Sequence, residues 1–187
     1  AIYGGMVAGP NAVKYIKGIQ KHAEDLPEEI FTRRVQEETE KWEAILNMDG
    51  TENAYLLHKE LGEWMTDNMT VVRVNAKLEE TYAKLTELQE RWENININDT
   101  QKWSNQGAHF TRQLKNMLYL AKVMTKGALL RNESRGAHYK PEFPERDDEN
   151  FLKTTMAKFD PATGEPIISY AEVDVSLIPP RKRDYSA

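Results

Sequence analysis

The segment HFTRQLKNMLYLAKVMTKGA, residues 109–128, decides the fold class of this chain. Its apolar residues recur at alternating steps of four and three positions, which is the spacing of one face of an α-helix. Polar and basic residues fall between them, so the helix is expected to bury one side and expose the other. The apolar stripe comprises Phe110, Leu114, Met117, Ala121, Met124 and Ala128.

Three upstream segments show the same helical period, and short connections join them. An amphipathic helix can bury its apolar face only against another element. The sequence therefore predicts a mainly α fold, an antiparallel bundle of three to four helices. The three segments cover residues 27–46, 57–69 and 78–92, and they end at Asp49-Gly50, near Met69, and at the Asn/Asp-rich run of residues 94–99, which is expected to be a turn.

The pattern changes after Gly136, which we expect to end the fourth helix as a left-handed C-cap. Two β-prone runs, residues 153–159 and 167–170, flank a turn that contains Pro161, Gly164 and Pro166. Such a pair of runs around a turn predicts a β-hairpin near residues 153–173. We expect it to lie within an extended C-terminal tail.

Composition and charge exclude several function classes. The chain has 187 residues, of which 40% are hydrophobic and 29% charged, as in a soluble globular protein. Its 25 Lys+Arg and 30 Asp+Glu give a net charge of −5, so we expect no nucleic-acid partner. The absence of cysteine excludes disulfides and thiolate chemistry, and no apolar run approaches the ~20 residues of a membrane span.

Few residues carry a recognisable chemical pattern. Gly4, Gly5 and Gly9 lack the spacing of a phosphate loop or a dinucleotide fingerprint. The histidines lack the spacing of a metal site. The sequence therefore predicts no catalytic, cofactor-binding or metal-binding residue in this chain. The histidines are His22, His58, His109 and His138.

The most distinctive string is RNESRGAHY, residues 131–139. It combines a serine, arginines and a histidine. A hydrolytic serine also needs a base held by a third group and an oxyanion site, however, and nothing nearby suggests either.

At this string the sequence resembles the C-terminal region of the flavoprotein subunits of succinate dehydrogenase and fumarate reductase, most closely those of Gram-positive bacteria. The matching pieces follow the family order and span nearly the whole chain. They are AIYGGMVAG at residues 1–9, GEWMTDNMTVVR at 62–73, ESRGAH at 133–138, FPERDDE at 143–149 and PPRKRDY at 179–185.

The resemblance implies that the parent subunit carries covalently bound FAD and oxidises succinate to fumarate. It implies electron transfer to an iron–sulfur subunit and on to membrane quinone, at the cytoplasmic face of the cell membrane, with only an indirect link to the membrane-anchor subunit. In the family the residues that bind flavin and dicarboxylate lie upstream of this region, so none is carried over. We therefore expect the segment alone to be inactive.

The resemblance also implies a division into three parts. Residues 1–22 correspond to the last helix of a truncated flavin domain, residues 23–136 to a spectrin-repeat-like helical bundle, and residues 137–187 to a tail that folds back over the flavin domain. Because the chain opens as AIYGGMVA without Met, we expect it to be a segment of a longer protein. Glu133, Arg135 and His138 are the candidate brace between the bundle and the flavin domain of the same chain.

Alternatives remain open. The parent could be a fumarate reductase. It could also be an L-aspartate oxidase, which shares a Glu-Ser-Arg-Gly string, although Ala137 and the long tail favour succinate dehydrogenase or fumarate reductase over that enzyme. The non-enzyme alternative is a stand-alone helical protein-interaction module. The physiological direction of catalysis depends on redox potentials and is not encoded in this segment.

Overall fold

The computed structural model describes residues 2–181. The chain is mainly helical with one small antiparallel hairpin, which confirms the predicted fold class. Residues 182–187 of the predicted tail, including part of the PPRKRDY motif, lie outside the described residues. The elements are α1 (Ile2–Gly18), a 3-10 turn (Ala23–Asp25), α2 (Glu28–Leu46), α3 (Ala54–Met69), α4 (Asn75–Trp92), α5 (Gln106–Leu130), α6 (Asp148–Phe151), β1 (Lys153–Phe159) and β2 (Pro166–Glu172).

The backbone forms two units, residues 1–44 and residues 45–187. In the first unit α1 has no buried residue, although much of its sequence is apolar. α2 begins directly after Pro27, and Glu28 and Glu29 occupy its first turn. Their negative charges stabilise the helix there, because its N-terminus is the positive end of the helix dipole. The division into parts at residues 22 and 136 stays a prediction.

In the second unit α3, α4 and α5 pack against one another around a leucine-rich core. Asn68 near the end of α3 donates to the Thr81 hydroxyl early in α4 at 3.0 Å. Glu60 in α3 pairs with Arg91 at the end of α4 at 2.8 Å. These two contacts show that α3 and α4 run antiparallel. The fully buried core side chains include Leu57, Leu78, Leu85, Leu88, Ile95 and Leu114.

α4 and α5 are also antiparallel. The indole N–H of Trp92, the last residue of α4, donates to the Thr111 carbonyl near the start of α5 at 2.8 Å. Lys115 lies over the same indole ring, with its Nζ 4.0 Å from the ring centroid. The tryptophan therefore anchors the end of α4 against the first turns of α5.

The two loops at this end of the bundle are joined by short backbone pairing. The Gly50 amide donates to the Ile95 carbonyl at 3.2 Å, and the Glu52 amide donates to the Asn94 carbonyl at 2.9 Å. A Cβ on Gly50 would lie 2.0 Å from the Asn94 carbonyl oxygen, so only glycine allows the loops to approach this closely. The run predicted as a turn thus contains a short paired segment, with Ile95 in the core.

The buried face of α5 differs from the predicted stripe. Met124 is exposed, whereas Thr111, Lys122 and Thr125 are buried. Thr125 and Lys122 tolerate burial because their polar groups find partners, whereas the Thr111 hydroxyl has no hydrogen-bond partner among the described residues. Thr125 donates to the Ala121 carbonyl one turn earlier at 2.8 Å, and Lys122 pairs with Glu165 at 2.6 Å.

The predicted cap at Gly136 is wrong, because α5 ends at Leu130 with Arg131 as its C-cap residue. Gly136 does have a positive φ of +60°. It is the second residue of a tight turn in which the Arg135 and His138 backbones exchange two hydrogen bonds of 2.8 and 3.0 Å. That position of a hairpin-type turn requires positive φ, so the glycine serves a turn and not a helix end.

The hairpin of β1 and β2 pairs in an antiparallel register from Lys153 with Glu172 to Phe159 with Pro166. One face lies on α5, where the Phe159 ring meets the Tyr119 ring edge-on at 5.1 Å. At the tip, Glu165 accepts from Lys122, and it also accepts from the Tyr82 hydroxyl in a short hydrogen bond. Within residues 2–181, no helix is both long and apolar enough to span a membrane.

Candidate functional site

The loop after α5, residues 131–147, contains the distinctive string and is organised around a buried carboxylate. Glu133 is fully buried. Its Oε1 accepts from Nε of Arg131 at 3.0 Å and from Nε of Arg135 at 2.9 Å. Its Oε2 accepts from Nη2 of Arg135 and from the Asp147 amide, both at 3.0 Å. Because removing a carboxylate from water is costly, this set is stable only while all its partners are present.

The two arginines connect this carboxylate to the hairpin and to α6. Arg131 donates to the Lys153 carbonyl at 3.2 Å and to the Thr155 hydroxyl at 3.1 Å, both in β1. Arg135 pairs with Asp148 in α6 at 2.6 Å. The hydrogen bonds that Arg135 donates to Glu133 are the main cause of the raised pKa of Arg135, and burial opposes this effect. The cluster therefore fixes the start of the hairpin relative to the end of α5.

The ion network continues toward the tail. Asp148 also accepts from Arg146 at 2.7 Å, and Arg146 donates to the Arg181 carbonyl at 2.8 Å. Arg181 is the last residue that the structure describes. Alternating cations and carboxylates thus run from the end of α5 to the beginning of the PPRKRDY motif.

His138 lies between two groups that fix its protonation state. Its Nδ1 is 2.7 Å from Nη1 of Arg73, and its Nε2 is 2.9 Å from the Arg131 carbonyl. A guanidinium can only donate and a carbonyl can only accept, so Nδ1 is unprotonated and Nε2 carries the hydrogen. Burial lowers the pKa of His138, and the charges of Arg73, Lys140 and Arg131 add to that effect, while the bond to the carbonyl opposes it. The neutral ring therefore connects the Arg73 guanidinium to the Arg131 carbonyl.

Arg73 comes from the connection between α3 and α4. Its Nε donates to the Thr70 carbonyl at 2.9 Å, so it also closes the end of α3. In the backbone, the Arg73 amide donates to the Tyr139 carbonyl at 2.8 Å, and the Tyr139 amide donates to the Val71 carbonyl at 3.1 Å. This second short pairing joins the α3–α4 connection to the loop after α5. The three-helix unit is therefore closed by paired loops at both ends.

Lys140 is fully buried, and within residues 2–181 no carboxylate lies in hydrogen-bond contact with it. Its Nζ donates to the Leu129 carbonyl in the last turn of α5 and to Oδ1 of Asn132, both at 2.9 Å. Burial lowers the pKa of Lys140 to about 8. A donor at this position satisfies a carbonyl that the end of a helix otherwise leaves open.

Ser134 serves the loop backbone and shows no hydrolytic arrangement. Its hydroxyl donates to the Phe143 carbonyl at 2.7 Å and accepts from the Lys140 amide at 2.9 Å. A nucleophilic serine instead has its hydroxyl directed at a general base. The hydrogen bonds of this region hold its charged side chains in one fixed arrangement.

The structure thus brings the three predicted residues into one region. Glu133 and Arg135 share an ion cluster, and His138 joins it through the carbonyl of Arg131. Their role toward a flavin domain stays a prediction. The sequence analysis missed Arg73 and Lys140 as members of this region. Asp148 and Arg73 lie in motifs that carry the family resemblance, but neither was predicted to belong to this region, and a single lysine carries no local signal.

The remaining candidates form no chemical site. Gly4, Gly5 and Gly9 lie inside α1, where their amides belong to a helix and not to a loop in front of one. His58 lies edge-on to the Phe110 ring at 5.4 Å. Within residues 2–181, no group of three or more histidine or acidic side chains could hold a metal ion.

Comparison with known proteins gives a consistent result. The family described as fumarate reductase flavoprotein C-term matches residues 58–185. The succinate dehydrogenase flavoprotein subunit of Bacillus subtilis (strain 168) is 65% identical over 186 residues, which are 100% of this chain and 32% of that protein. The fumarate reductase flavoprotein subunit of Escherichia coli (strain K12) is 38% identical over 143 residues, 75% of this chain and 24% of that protein.

Solved structures agree with the sequence matches. The flavoprotein chain of Escherichia coli quinol fumarate reductase superposes with a TM-score of 0.79 at 33% identity, over 84% of this chain and 27% of that one. The chain thus spans about a third or less of the length of these similar proteins.

Proposed function

Because this chain belongs to the family of fumarate reductase flavoprotein C-terminal domains, we propose that it is the C-terminal helical region of a succinate dehydrogenase flavoprotein subunit. The parent subunit then oxidises succinate to fumarate with covalently bound FAD and passes the electrons to an iron–sulfur subunit and to quinone. The observation that carries this proposal is the 65% identity to a succinate dehydrogenase subunit over the whole chain.

The role of this region is structural and not chemical. FAD, where bound, accepts the two electrons that leave succinate. The described residues do not fit that cofactor, because their one glycine-rich segment is a regular helix and the buried Glu133 carboxylate is paired with Arg131 and Arg135. We therefore assign flavin binding and dicarboxylate binding to the upstream part of the parent subunit.

The parent complex is proposed to lie at the cytoplasmic face of the cell membrane. There this chain would contact the flavin domain of the same polypeptide and the iron–sulfur subunit, and would reach the membrane-anchor subunit only indirectly. Glu133, Arg135 and His138 brace the bundle against the flavin domain in this proposal. Support comes from the rigid ion cluster that joins the end of α5 to the hairpin and to Arg181.

The test compares the segment of residues 1–187 with the full-length parent subunit. We expect the full-length subunit to show flavin absorbance and succinate–dye reductase activity, and the segment to show neither. Circular dichroism of the segment must show helix, so that inactivity is not due to unfolding. Flavin binding or succinate turnover by the folded segment would contradict the placement of the chemistry upstream.

Fumarate reduction is the second candidate, favoured by the description of the matching family and by the 38% identical relative. The parent complex would then reduce fumarate with quinol faster than it oxidises succinate. Steady-state rates in both directions, with quinone and with quinol, separate the two.

A further inference from the structure

Asp49-Gly50, between α2 and α3, is the one place in the sequence where an aspartate or asparagine precedes a glycine. This dipeptide is chemically labile, because glycine has no side chain to shield its amide nitrogen from the neighbouring carboxyl group. The Asp49 side chain is exposed to solvent. Two groups that can react with each other are therefore adjacent, and water reaches them.

The packing of the loops demands glycine at position 50. A Cβ there would overlap the Asn94 carbonyl, so the two loops can approach this closely only if the residue is a glycine. The chain consequently keeps a labile dipeptide at a position where packing dictates the second residue.

The same loop pairing restrains the reaction. The Gly50 amide donates to the Ile95 carbonyl at 3.2 Å, and Asp49 forms an antiparallel bridge with Asn96. Ring closure needs the Gly50 nitrogen about 3–3.5 Å from the Asp49 carboxyl carbon and directed at it. An amide held in the pairing points at Ile95 instead. The loops must therefore open locally before the nitrogen can attack.

We propose that Asp49 is a site of spontaneous isomerisation to isoaspartate, and that the pairing of residues 48–52 with residues 94–97 controls its rate. In the first step the Gly50 nitrogen bonds to the Asp49 carboxyl carbon, and the carboxyl hydroxyl leaves with the amide proton as water, which gives a cyclic imide. In the second step water adds to the main-chain carbonyl carbon of Asp49, and the bond from that carbon to the Gly50 nitrogen breaks. Addition of water to the other imide carbon restores aspartate. One water is released and one is consumed, so no other reactant is needed.

Isoaspartate would alter the backbone at this end of the bundle. The main chain then runs through the side-chain carbons of residue 49, so its path is longer by one carbon atom. The hydrogen bonds that Glu52 exchanges with Asn94 and Asn96 depend on the register of the two loops, which this extra atom shifts. Glu52 also pairs with Arg91 of α4 at 2.8 Å. The modification therefore favours the open loops, and closing them does not reverse it.

Incubation of the full-length subunit at neutral pH, followed by tryptic digestion, tests the proposal. The tryptic peptide of residues 42–59 contains Asp49. Isoaspartate does not change its mass, but chromatographic retention and electron-transfer fragmentation identify it. The synthetic peptide of the same residues is the reference, because its Gly50 amide is unrestrained. We expect isoaspartate to form at least tenfold more slowly in the folded chain than in this peptide.

Two core variants distinguish local from global opening of the fold. Ile95→Ala removes a fully buried side chain from the pairing itself, whereas Leu118→Ala removes a buried side chain from the middle of α5. We expect the rate at Asp49 to be at least threefold higher in Ile95→Ala than in Leu118→Ala. Asp49→Glu is the negative control, since the longer glutamate side chain cannot form the same five-membered ring.

Any of three outcomes would overturn the proposal. They are a synthetic peptide that forms no isoaspartate at position 49, a folded chain that reacts as fast as the peptide, and a rate in Ile95→Ala no higher than in Leu118→Ala. If Ile95→Ala does not fold, the ratio between the folded wild type and the peptide decides alone. The readout is a modified peptide and not an activity, so the result is independent of the proposed function.

Discussion

The Arg73 guanidinium lies 2.7 Å from Nδ1 of His138 and donates to it, although 65 sequence positions separate the two residues. The imidazole can accept this hydrogen bond only while it is neutral. Protonation at Nδ1 would place a cation against Arg73 and remove the bond at the same time. The junction of the two loops therefore depends on pH.

We expect acid to weaken the chain through His138. Burial lowers its pKa in the folded state, so the unfolded state binds the proton more readily. The stability that the neutral ring contributes is complete above the ordinary histidine pKa of about 6.5 and is lost progressively as the pH falls below it. Urea unfolding at a series of pH values from 5 to 7.5 measures this slope.

The variants His138→Gln and His58→Gln isolate the effect. Replacing His138 should flatten the slope between pH 5 and 6.5, whereas replacing the exposed His58 should leave it unchanged. Parallel slopes in the wild type and in His138→Gln would contradict the assignment of this pH dependence to His138.

Lys140 should make the chain more stable as the pH rises above 8. Its pKa is about 8 in the fold, against an ordinary value of about 10.4, so between these values the unfolded state holds a proton that the folded state has released. The free energy of unfolding should then rise by up to about 1.4 kcal/mol per pH unit. Comparing wild type with Lys140→Met from pH 7 to 10 measures that rise as a growing difference between them.

Lys59→Met is the matched control for Lys140, because Lys59 lies exposed on α3 and its ion pair with Glu63 is 3.8 Å long. The free energy of unfolding of Lys59→Met should differ from that of the wild type by less than about 0.5 kcal/mol at every pH. A difference between wild type and Lys140→Met that stays constant from pH 7 to 10 would show that Lys140 does not titrate in this range.

The helices were predictable because their period is a local property of the sequence. α3, α4 and α5 appear where the apolar stripes place them, and the hairpin appears around its Pro/Gly turn. The buried polar face of α5 was not predictable. Lys122 is buried because Glu165, on the hairpin, supplies its partner. No residue within α5 indicates that partner, so the local sequence predicts that Lys122 is exposed.

The candidate site was predictable only in part, for the same reason. The ESRGAH string indicated Glu133, Arg135 and His138, but it did not indicate Asp148, which pairs with Arg135. Arg73, however, reaches His138 only after α4 and α5 have brought their far ends together. Such partners follow from the tertiary arrangement, which a local pattern does not contain.

The Glu133 carboxylate should be far more important for stability than a carboxylate at the surface. Glu133→Gln removes the negative charge and leaves Arg131 and Arg135 partly buried without it, at an expected cost of about 3 kcal/mol. The control is Glu93→Gln, because Glu93 pairs with Lys115 at the surface and such pairs contribute less than about 1 kcal/mol. Urea unfolding at pH 7 compares the two, and equal losses would contradict the role of Glu133 as the centre of the cluster.

Alanine substitutions at two glycines should change the stability of the chain in opposite directions. In Gly50→Ala the new Cβ would lie 2.0 Å from the Asn94 carbonyl oxygen, so the paired loops must separate, and we expect a loss of at least about 2 kcal/mol. Gly62 lies in α3 with no atom within 4 Å of such a Cβ, and alanine favours a helix interior by up to about 1 kcal/mol. Gly62→Ala should therefore raise the melting temperature while Gly50→Ala lowers it.

Hydrogen exchange distinguishes a local from a global effect, since Gly50→Ala should expose the Glu52 and Asn96 amides, which the loop pairing protects. Unchanged protection of those amides in Gly50→Ala would show that the loops can absorb the methyl group without separating.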